Sequence, residues 1–217
     1  MLRYLAGDEA FEKVMRRYFN EYKFKNISIA EIKTIAEGEL KTDLGWFFEE
    51  WFYSPKKCDY AIKDVKAEKI ILENRGKIEM PLELEVEFED GQKQRFSWDG
   101  KDKEKEISVE PSKKIQSARL DPEKRLLDID RTNNNWRRAL DIKPVPLYYP
   151  VYEIPVFLKD DAYSLVFGPQ IGGSELGIKS SLQKPQDVLV YLSNAYNFNE
   201  EKVKNTVGFE QRHVGGK

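Results

Sequence analysis

Histidine and cysteine are almost absent from the 217-residue sequence, which has one of each, His213 and Cys58. An H-E-x-x-H zinc peptidase motif needs two histidines, and a structural zinc site needs four cysteine or histidine ligands. An intrachain disulfide needs two cysteines. His213 lies in the terminal RHVGGK, where chains usually fray. The sequence therefore assigns no catalytic, cofactor-binding or metal-ligating residue to this chain.

A charge excess of one sign and long apolar runs are also missing. Lys and Arg number 36 against 38 Asp and Glu, which gives a formal net charge of −2. We therefore expect no nucleic-acid partner held by phosphate contacts. No apolar run reaches the roughly 18 residues of a membrane helix, and the opening MLRYLAGDEAFEKVM lacks a signal peptide's apolar stretch. The remaining composition, 40% hydrophobic and 12% aromatic, suits one or two globular domains.

Residues 1–55 are predicted to be helical. Asp8 is expected to cap a first helix, because apolar residues follow it at helical spacing. Ser28 and Glu31 form an S-x-x-E capping box, which predicts the start of a second helix. Asp43 is expected to cap a short third helix, DLGWFFEEWFY. Its aromatic load predicts an apolar surface that needs a neighbouring domain, at Trp46, Phe48 and Phe52.

Residues 56–136 are predicted to form a small antiparallel β-sandwich. Apolar residues from Ile78 to Phe88 alternate with mostly acidic residues from Glu79 to Glu89, which indicates a strand with one buried face. Asp90-Gly91 predicts a hairpin turn after it. Further strands are predicted at 60–65, 67–72, 105–109, 115–120 and 126–129. We interpret the glutamates as a solvated face, since a metal or acid–base site needs converging ligands from elsewhere.

Several segments, taken in order, resemble the C-terminal side of an aminopeptidase N family zinc metallopeptidase. They are GDEAFEKVMRRYFNEY, EGELKTDLGWFFEEWFY, NRGKIEMPLELEVEFEDG, FSWDG and LDPEKRLLDIDRTNN, within residues 1–136. The family's catalytic domain ends in helices with a G-x-D-L-x-x-F-F-x-x-W signature, and a small β-sandwich follows it. The signature corresponds here to Lys41, where glycine is frequent in the family, and to Thr42, Asp43, Leu44, Phe47, Phe48 and Trp51.

The resemblance implies a part of an enzyme without its active site. In the family, the H-E-x-x-H helix, the downstream glutamate ligand, the substrate-binding segment and the transition-state tyrosine all precede the helix that opens this chain. Met1 aligns with an internal methionine, so we expect a fragment or a truncated reading frame. Zinc is then the cofactor of the parent enzyme. The expected partners are the parent's upstream catalytic domain and, through it, peptide substrates.

The last third of the sequence is predicted to contain a linker and then β-hairpins. Residues 137–169 are interpreted as an extended Pro-rich linker, with Pro144, Pro146, Pro150, Pro155 and Pro169. Residues 170–217 contain segments of about ten residues that alternate in polarity and carry aromatic residues near their ends. These segments resemble the opening hairpins of a surface-antigen-type outer-membrane barrel. A different β-unit, without membrane contact, fits the alternation equally well.

The predicted fold class is therefore α+β and multidomain: helices, a β-sandwich, a Pro-rich linker and β-hairpins. The first functional hypothesis is a non-catalytic C-terminal fragment of an aminopeptidase-like zinc metallopeptidase, whose parent hydrolyses peptide bonds at N-termini. The alternative is a stand-alone cell-envelope interaction module without enzymatic activity. The barrel resemblance implies a parent in the cell envelope, in the periplasm or at the outer membrane.

Overall fold

β-Strands make up most of the regular secondary structure, in a mixed α+β fold with few and short helices. This computed structural model describes residues 1–149, 152, 158–184 and 188–211. The chain divides into two compact units, Met1–Ile129 and Asp130–Lys217. The predicted α+β class is thus confirmed.

The helices lie at the beginning of the first unit, as the sequence predicts. They are α1 (Leu2–Ala6), α2 (Asp8–Tyr22), α3 (Ile29–Leu40) and α4 (Gly45–Phe48), which continues as a π-helical turn, Glu49–Tyr53. The capping box of α3 is confirmed, because Ser28 Oγ accepts a hydrogen bond from the Ala30 N–H while Glu31 accepts one from the Ser28 N–H at 2.8 Å. These bonds satisfy amide groups that have no partner inside the helix.

Two of the predicted caps differ in the structure. Gly7, with φ of 79°, takes the N-cap position of α2, and Asp8 is its first helical residue. The Asp8 carboxylate instead accepts a hydrogen bond from Arg3 Nε at 2.7 Å. Asp43 lies one residue before the N-cap Leu44 of α4, although its carboxylate does accept a hydrogen bond from the Gly45 N–H at 2.8 Å.

The first unit also contains two antiparallel sheets. Their strands are β1 (Tyr60–Lys66), β2 (Lys69–Asn74), β3 (Leu82–Phe88), β4 (Lys93–Trp98), β5 (Glu104–Ser108) and β6 (Ile115–Leu120). One sheet has the order β1-β2-β5, and in the other β3 lies between β4 and β6. The predicted strands at 60–65, 67–72, 105–109 and 115–120 are confirmed to within two residues, and so is the Asp90-Gly91 hairpin between β3 and β4.

The glutamates of β3 are paired across the sheet with basic residues of β4. Leu82, Leu84, Val86 and Phe88 are buried while the intervening glutamates are partly exposed. Arg95 contacts Glu83 at 3.2 Å and Glu85 at 3.0 Å. Lys93 contacts Glu85 at 3.2 Å. The burial of Glu85 acts to raise its pKa, but the hydrogen bonds from Lys93 and Arg95 outweigh it and leave the pKa below its ordinary value.

The strand predicted at 126–129 is wrong. Residues 121–129 form an irregular segment that Asp121 organises. Its carboxylate accepts hydrogen bonds from the Arg125 N–H at 2.9 Å and the Leu126 N–H at 2.8 Å. These amides cannot then join a strand ladder, so the apolar Leu126 is placed by a turn. Ile129 is held by a single backbone hydrogen bond from its N–H to the Cys58 carbonyl at 3.0 Å.

The second unit is built on one five-stranded sheet. A 3-10 turn (Arg131–Asn133) and β7 (Asn135–Trp136) precede β8 (Ala139–Pro144), β9 (Ala162–Gly172), β10 (Glu175–Lys184), β11 (Val188–Asn197) and β12 (Lys202–Gln211). The order is β12-β11-β10-β9-β8, with antiparallel pairing from β9 to β12 and parallel pairing of β8 with β9. The three predicted segments beyond residue 174 are confirmed as β10, β11 and β12.

The range 137–169, predicted as a linker, differs from that prediction because it contains β8 and most of β9. Pro144 stands at the last position of β8, where the missing N–H disturbs little of the ladder. Pro150 and Pro155 lie outside the described residues. The β-hairpin region predicted from residue 170 accordingly begins at Ala162.

A buried tyrosine hydroxyl ties several backbone segments of the first unit together. Tyr60 is fully buried, and its hydroxyl donates to the Ile78 carbonyl at 2.7 Å and accepts from the Met80 N–H at 2.8 Å. Asn74 Nδ2 donates to the Ile78 and Gly100 carbonyls at 2.9 and 3.0 Å. Burial raises the pKa of Tyr60 far above its ordinary value, so the hydroxyl keeps its proton.

We expect Tyr60→Phe to destabilise the first unit by about 1–3 kcal/mol, because the buried Met80 N–H loses its hydrogen-bond acceptor and the Ile78 carbonyl keeps only the bond from Asn74. Urea unfolding followed by tryptophan fluorescence measures the change. Tyr53→Phe, at an exposed tyrosine, is the matched control and should leave the midpoint unchanged. Equal midpoints for the two variants would contradict this role of the Tyr60 hydroxyl.

Candidate functional site

No constellation for metal-dependent chemistry occurs in the described part of the chain. Cys58 is buried, and His213 lies outside the described residues. No group of three or more His, Cys, Asp or Glu side chains within the described ranges converges as metal ligands.

The end of the helical segment is anchored to the chain that leads into β3. The Glu50 side chain forms an ion pair with Lys56 and accepts a hydrogen bond from the Glu79 N–H at 2.8 Å. Glu50 is only 8% exposed, so both contacts lie at the edge of the core. A nearly buried carboxylate requires such partners. The contacts fix the π-helical turn and the aromatic residues around it.

Those aromatic residues divide into a buried and an exposed group. Leu44, Phe47 and Phe48 are buried, whereas Trp46 and Phe52 are exposed. The expectation that Phe48 contributes to the exposed surface is therefore wrong, because its ring packs edge-on against Phe47 at a centroid distance of 5.4 Å. Trp46 lies at an open groove of about 430 Å³ that Leu5, Glu79, Pro81, Asp99 and Lys101 also line.

In the second unit, the strand register places large apolar side chains on one face of the sheet. Phe167 of β9 lies opposite Ser180 of β10, Ser180 opposite Leu192 of β11, and Leu192 opposite Val207 of β12. Directly paired residues point to the same face of a sheet, and every second residue along a strand joins them. The parallel pairing of Ile142 with Leu165 adds β8 to the same face.

This face is open to solvent. Its large apolar members are between 36% and 73% exposed. They are Leu140, Ile142, Phe167, Ile171, Leu176, Ile178, Leu182, Leu192, Tyr196, Val203, Val207 and Phe209. We call this set the exposed apolar face. The face also carries Ser180, Asn194 and Asn205. An exposed apolar surface of this extent is typical of interaction sites for protein or membrane.

The opposite face of the same sheet is richer in polar and small residues. Ser164, Ser181, Gln183 and Asn197 are buried on it, together with Ala162, Val166, Leu189 and Ala195. Lys179 Nζ lies 5.0 Å from the centroid of the Tyr148 ring and 4.6 Å from that of Tyr191. The usual arrangement of a water-exposed sheet is thus reversed, since the apolar side chains are outside and many polar ones inside.

The segment after β8 crosses this polar face. The Val145 N–H donates to the Phe167 carbonyl at 2.9 Å, and Tyr148 then reaches over the sheet to donate its hydroxyl to Ser181 Oγ at 2.6 Å. Gln183 Nε2 donates to the Tyr152 carbonyl at 3.0 Å. These contacts cover polar groups that the sheet itself leaves unpaired.

An ion pair holds the start of the second unit to β10. Asp130 contacts Lys184 Nζ at 2.8 Å and also accepts a hydrogen bond from Thr132. Burial acts to raise the pKa of Asp130, but the hydrogen bonds from Lys184 and Thr132 outweigh it and lower the pKa below its ordinary value. The stability that this carboxylate contributes is present near neutral pH and is lost as the pH falls through its lowered pKa.

Sequence reasoning identified the alternation in β10–β12 but missed β8 and the first half of β9. Leu140, Ile142 and Pro144 alternate with Asp141 and Lys143, and Tyr163, Leu165 and Phe167 alternate with Ser164 and Val166. The period of two was therefore readable in both segments. The strands were not predicted because the number of prolines in residues 137–169 was interpreted as the sign of a linker. Prolines also occur at strand ends and in edge strands.

No helix in the described part of the chain is long and apolar enough to cross a membrane. No protein-family model and no curated protein matches this sequence.

A glycine on β12 accommodates a tyrosine ring of β11. Gly208 pairs with Tyr191, and a Cβ built on Gly208 would lie 2.0 Å from that ring. We expect Gly208→Ala to displace the ring and to destabilise the β11–β12 pair by about 1–3 kcal/mol. Amide hydrogen exchange in β11 and β12 measures this loss of protection. Gly172→Ala, at a position with open space, is the control, and equal effects of the two variants would refute the prediction.

Proposed function

We propose that this chain is a non-catalytic, membrane-associated part of an aminopeptidase-like zinc metallopeptidase whose parent hydrolyses peptide bonds at the N-termini of peptides. The observation that carries the membrane association is the exposed apolar face of the five-stranded sheet. The peptidase assignment is supported by the resemblance of residues 1–136, and the barrel resemblance supports a location in the cell envelope.

Strand length supports contact with the hydrocarbon layer of a membrane. β9 contains 11 residues, and β10, β11 and β12 contain 10 each. A tilted β-strand that spans the hydrocarbon core has about 9–11 residues. Membrane strands also alternate between lipid-facing apolar residues and interior polar residues. These strands follow that alternation except at Ser180, Asn194 and Asn205, which lie on the apolar face.

The hydrophobic effect also favours contact between the exposed apolar face and a membrane. Large side chains such as Ile171 and Phe209 are exposed to water, so the favourable free energy of burying them is not gained. Transfer of about a dozen such side chains into hydrocarbon recovers that free energy, whereas the polar face is better placed in a water-filled or protein-filled interior. Another layer of protein over the apolar face is the competing explanation, and it differs from the proposal in its response to lipid.

The first experiment introduces a charge at Val207, the most exposed member of the exposed apolar face. Val207→Lys should weaken binding of the full chain to phosphatidylcholine vesicles by about 30-fold or more, because a lysine near the bilayer midplane costs about 2–4 kcal/mol. Vesicle flotation measures the bound fraction.

Thr206→Lys is the matched control for this experiment, since it places the same charge on the next residue, which faces the other side of the sheet. It should bind like the unsubstituted chain. Equal loss in the two variants, or no binding of the unsubstituted chain, would overturn the membrane role and favour a protein layer over this face.

The first unit supports the peptidase part of the proposal through its surfaces. Three buried members of the signature segment, Leu44, Phe47 and Phe48, hold α4 in the core, while Trp46 and Phe52 remain exposed. We propose that the exposed aromatic residues contact the parent's catalytic domain and that the two antiparallel sheets are the family's small β-sandwich. In this proposal zinc belongs to the parent's catalytic domain, as it does in the family that residues 1–136 resemble.

The peptidase proposal makes a biochemical prediction for the chain by itself. The purified chain should retain no stoichiometric zinc after dialysis and should not cleave aminoacyl amides. Atomic absorption and a fluorogenic amide assay measure the two properties. Stoichiometric zinc or measurable turnover would contradict the non-catalytic role.

Translation of the genomic DNA before the Met1 codon separates this proposal from its alternative. An in-frame H-E-x-x-H motif with a downstream glutamate supports the metallopeptidase. A stop codon followed by a ribosome-binding site favours the stand-alone cell-envelope interaction module. The exposed apolar face keeps that alternative open, because it needs no catalytic domain to act as an interaction surface.

A further inference from the structure

Two consecutive arginines stack on aromatic rings near one end of the sheet in the second unit. The Arg137 guanidinium carbon lies 4.7 Å from the centroid of the Trp136 ring, and that of Arg138 lies 5.7 Å from the centroid of Tyr163. Arg138 Nη1 also donates a hydrogen bond to the Tyr163 hydroxyl at 2.9 Å. We call Trp136, Arg137, Arg138 and Tyr163 the arginine–aromatic patch.

The charge of the patch is not neutralised by the described residues. Both arginines are exposed, and neither forms an ion pair with a carboxylate in the described ranges. Nearby basic residues differ in this respect, because Arg131 contacts Asp160 and Lys184 contacts Asp130. Each guanidinium has five N–H donors in a planar fork. Arg138 donates one hydrogen bond to Tyr163, so its other N–H groups remain available to bind a second ligand.

The backbone brings the two arginines out of the regular strand. Arg137 has φ of 63°, in the left-handed region that non-glycine residues rarely adopt, and it separates β7 from β8. Such conformations cost free energy and are often found at functional positions. The break leaves two adjacent guanidinium groups at the start of β8.

The patch borders the exposed apolar face. Leu140 pairs with Tyr163, and Ile142 pairs with Leu165 one row further along the sheet. Arg138 precedes Leu140 by two residues, so it continues the same face beyond the last apolar row. The sheet therefore presents a positively charged, aromatic rim directly beside a large apolar surface.

We propose that the arginine–aromatic patch binds the phosphate headgroups of anionic membrane lipids whose acyl chains lie along the exposed apolar face. This inference rests on the proposed membrane association. A phosphate accepts paired hydrogen bonds from a guanidinium fork. Tryptophan and tyrosine are enriched at the level of lipid headgroups, since each has an apolar ring with a polar group. The headgroup of an anionic lipid can pair with the arginines while its acyl chains cover the exposed apolar face. A free anion can pair with the arginines only.

The test compares binding of the full chain to vesicles of phosphatidylcholine alone and of phosphatidylcholine with phosphatidylglycerol. The unsubstituted chain should prefer the anionic vesicles. Arg137→Gln with Arg138→Gln should reduce that preference by about fivefold for each arginine, the effect expected of a basic residue near an anionic surface. Binding of this double variant to phosphatidylcholine alone should stay within about twofold, because the apolar face is unchanged.

Two control variants separate the patch from general electrostatics. Arg125→Gln removes one positive charge, half of the change in the double variant, from an exposed position in the first unit and should leave the preference for anionic vesicles intact. Arg137→Lys with Arg138→Lys keeps the charge but removes the fork, and it should lose part of the preference.

The outcomes distinguish the two proposals. Loss of anionic preference in the glutamine double variant, with phosphatidylcholine binding retained, supports the headgroup site. An unchanged preference in that variant overturns the headgroup site and leaves the membrane association standing. A fall of the preference in Arg125→Gln equal to that of the double variant also overturns it. Absence of binding to both kinds of vesicle overturns both proposals.

Discussion

The pairing register of β9 to β12 is the constraint on which the second unit depends. β10 pairs with β11 at ten consecutive positions without a bulge, and β11 pairs with β12 in the same way. A slip of one residue in any of these ladders would move every side chain of a strand to the other face. The uninterrupted register therefore keeps Ile178, Leu192 and Val207 together on one side and Lys179, Tyr191 and Gly208 on the other.

The first unit uses buried polar side chains for the same purpose, to fix segments that apolar packing alone would leave free. Tyr60 holds the carbonyl of Ile78 and the amide of Met80, which precede β3. Glu50 holds the amide of Glu79 in the same segment from the helical side. Asp121 binds two amides after β6. Polar groups with several partners define geometry more narrowly than apolar contacts, which have no direction.

Local periodicity predicted those elements whose two faces differ clearly. The strand β3 was evident from its strict alternation, and the start of α3 from Ser28 and Glu31. The order of the strands within a sheet could not be predicted in this way. The parallel pairing of β8 with β9 joins segments separated by about twenty residues, and it leaves no local pattern in the sequence. The prediction of Asp8 as the N-cap of α2 was wrong, because Gly7 occupies the N-cap position. The Asp8 carboxylate accepts a hydrogen bond from Arg3 instead.

The surface of the second unit was predictable as an alternation but not as a charged rim. Arg137 and Arg138 are ordinary surface residues in the sequence. Of their aromatic partners, Trp136 immediately precedes the segment that was interpreted as a linker, and Tyr163 lies within it. Only the pairing of Leu140 with Tyr163 shows that the arginines border the apolar face. The functional signal therefore arose from tertiary placement, which composition and motif spacing do not contain.

The membrane proposal makes a further demand on the sheet edges, through the same physics that favours it. Hydrocarbon offers no hydrogen-bond partners, so each unpaired backbone N–H or carbonyl there costs several kcal/mol. β8 covers the edge of β9 from Ala162 to Phe167. The outer edge of β12 has no strand partner within the described residues, and β12 contains neither a proline nor a bulge that would protect it. A lipid-facing location of Val207 thus requires another strand beside β12, from this chain or from a second copy of it on the membrane, whereas a protein-covered location does not.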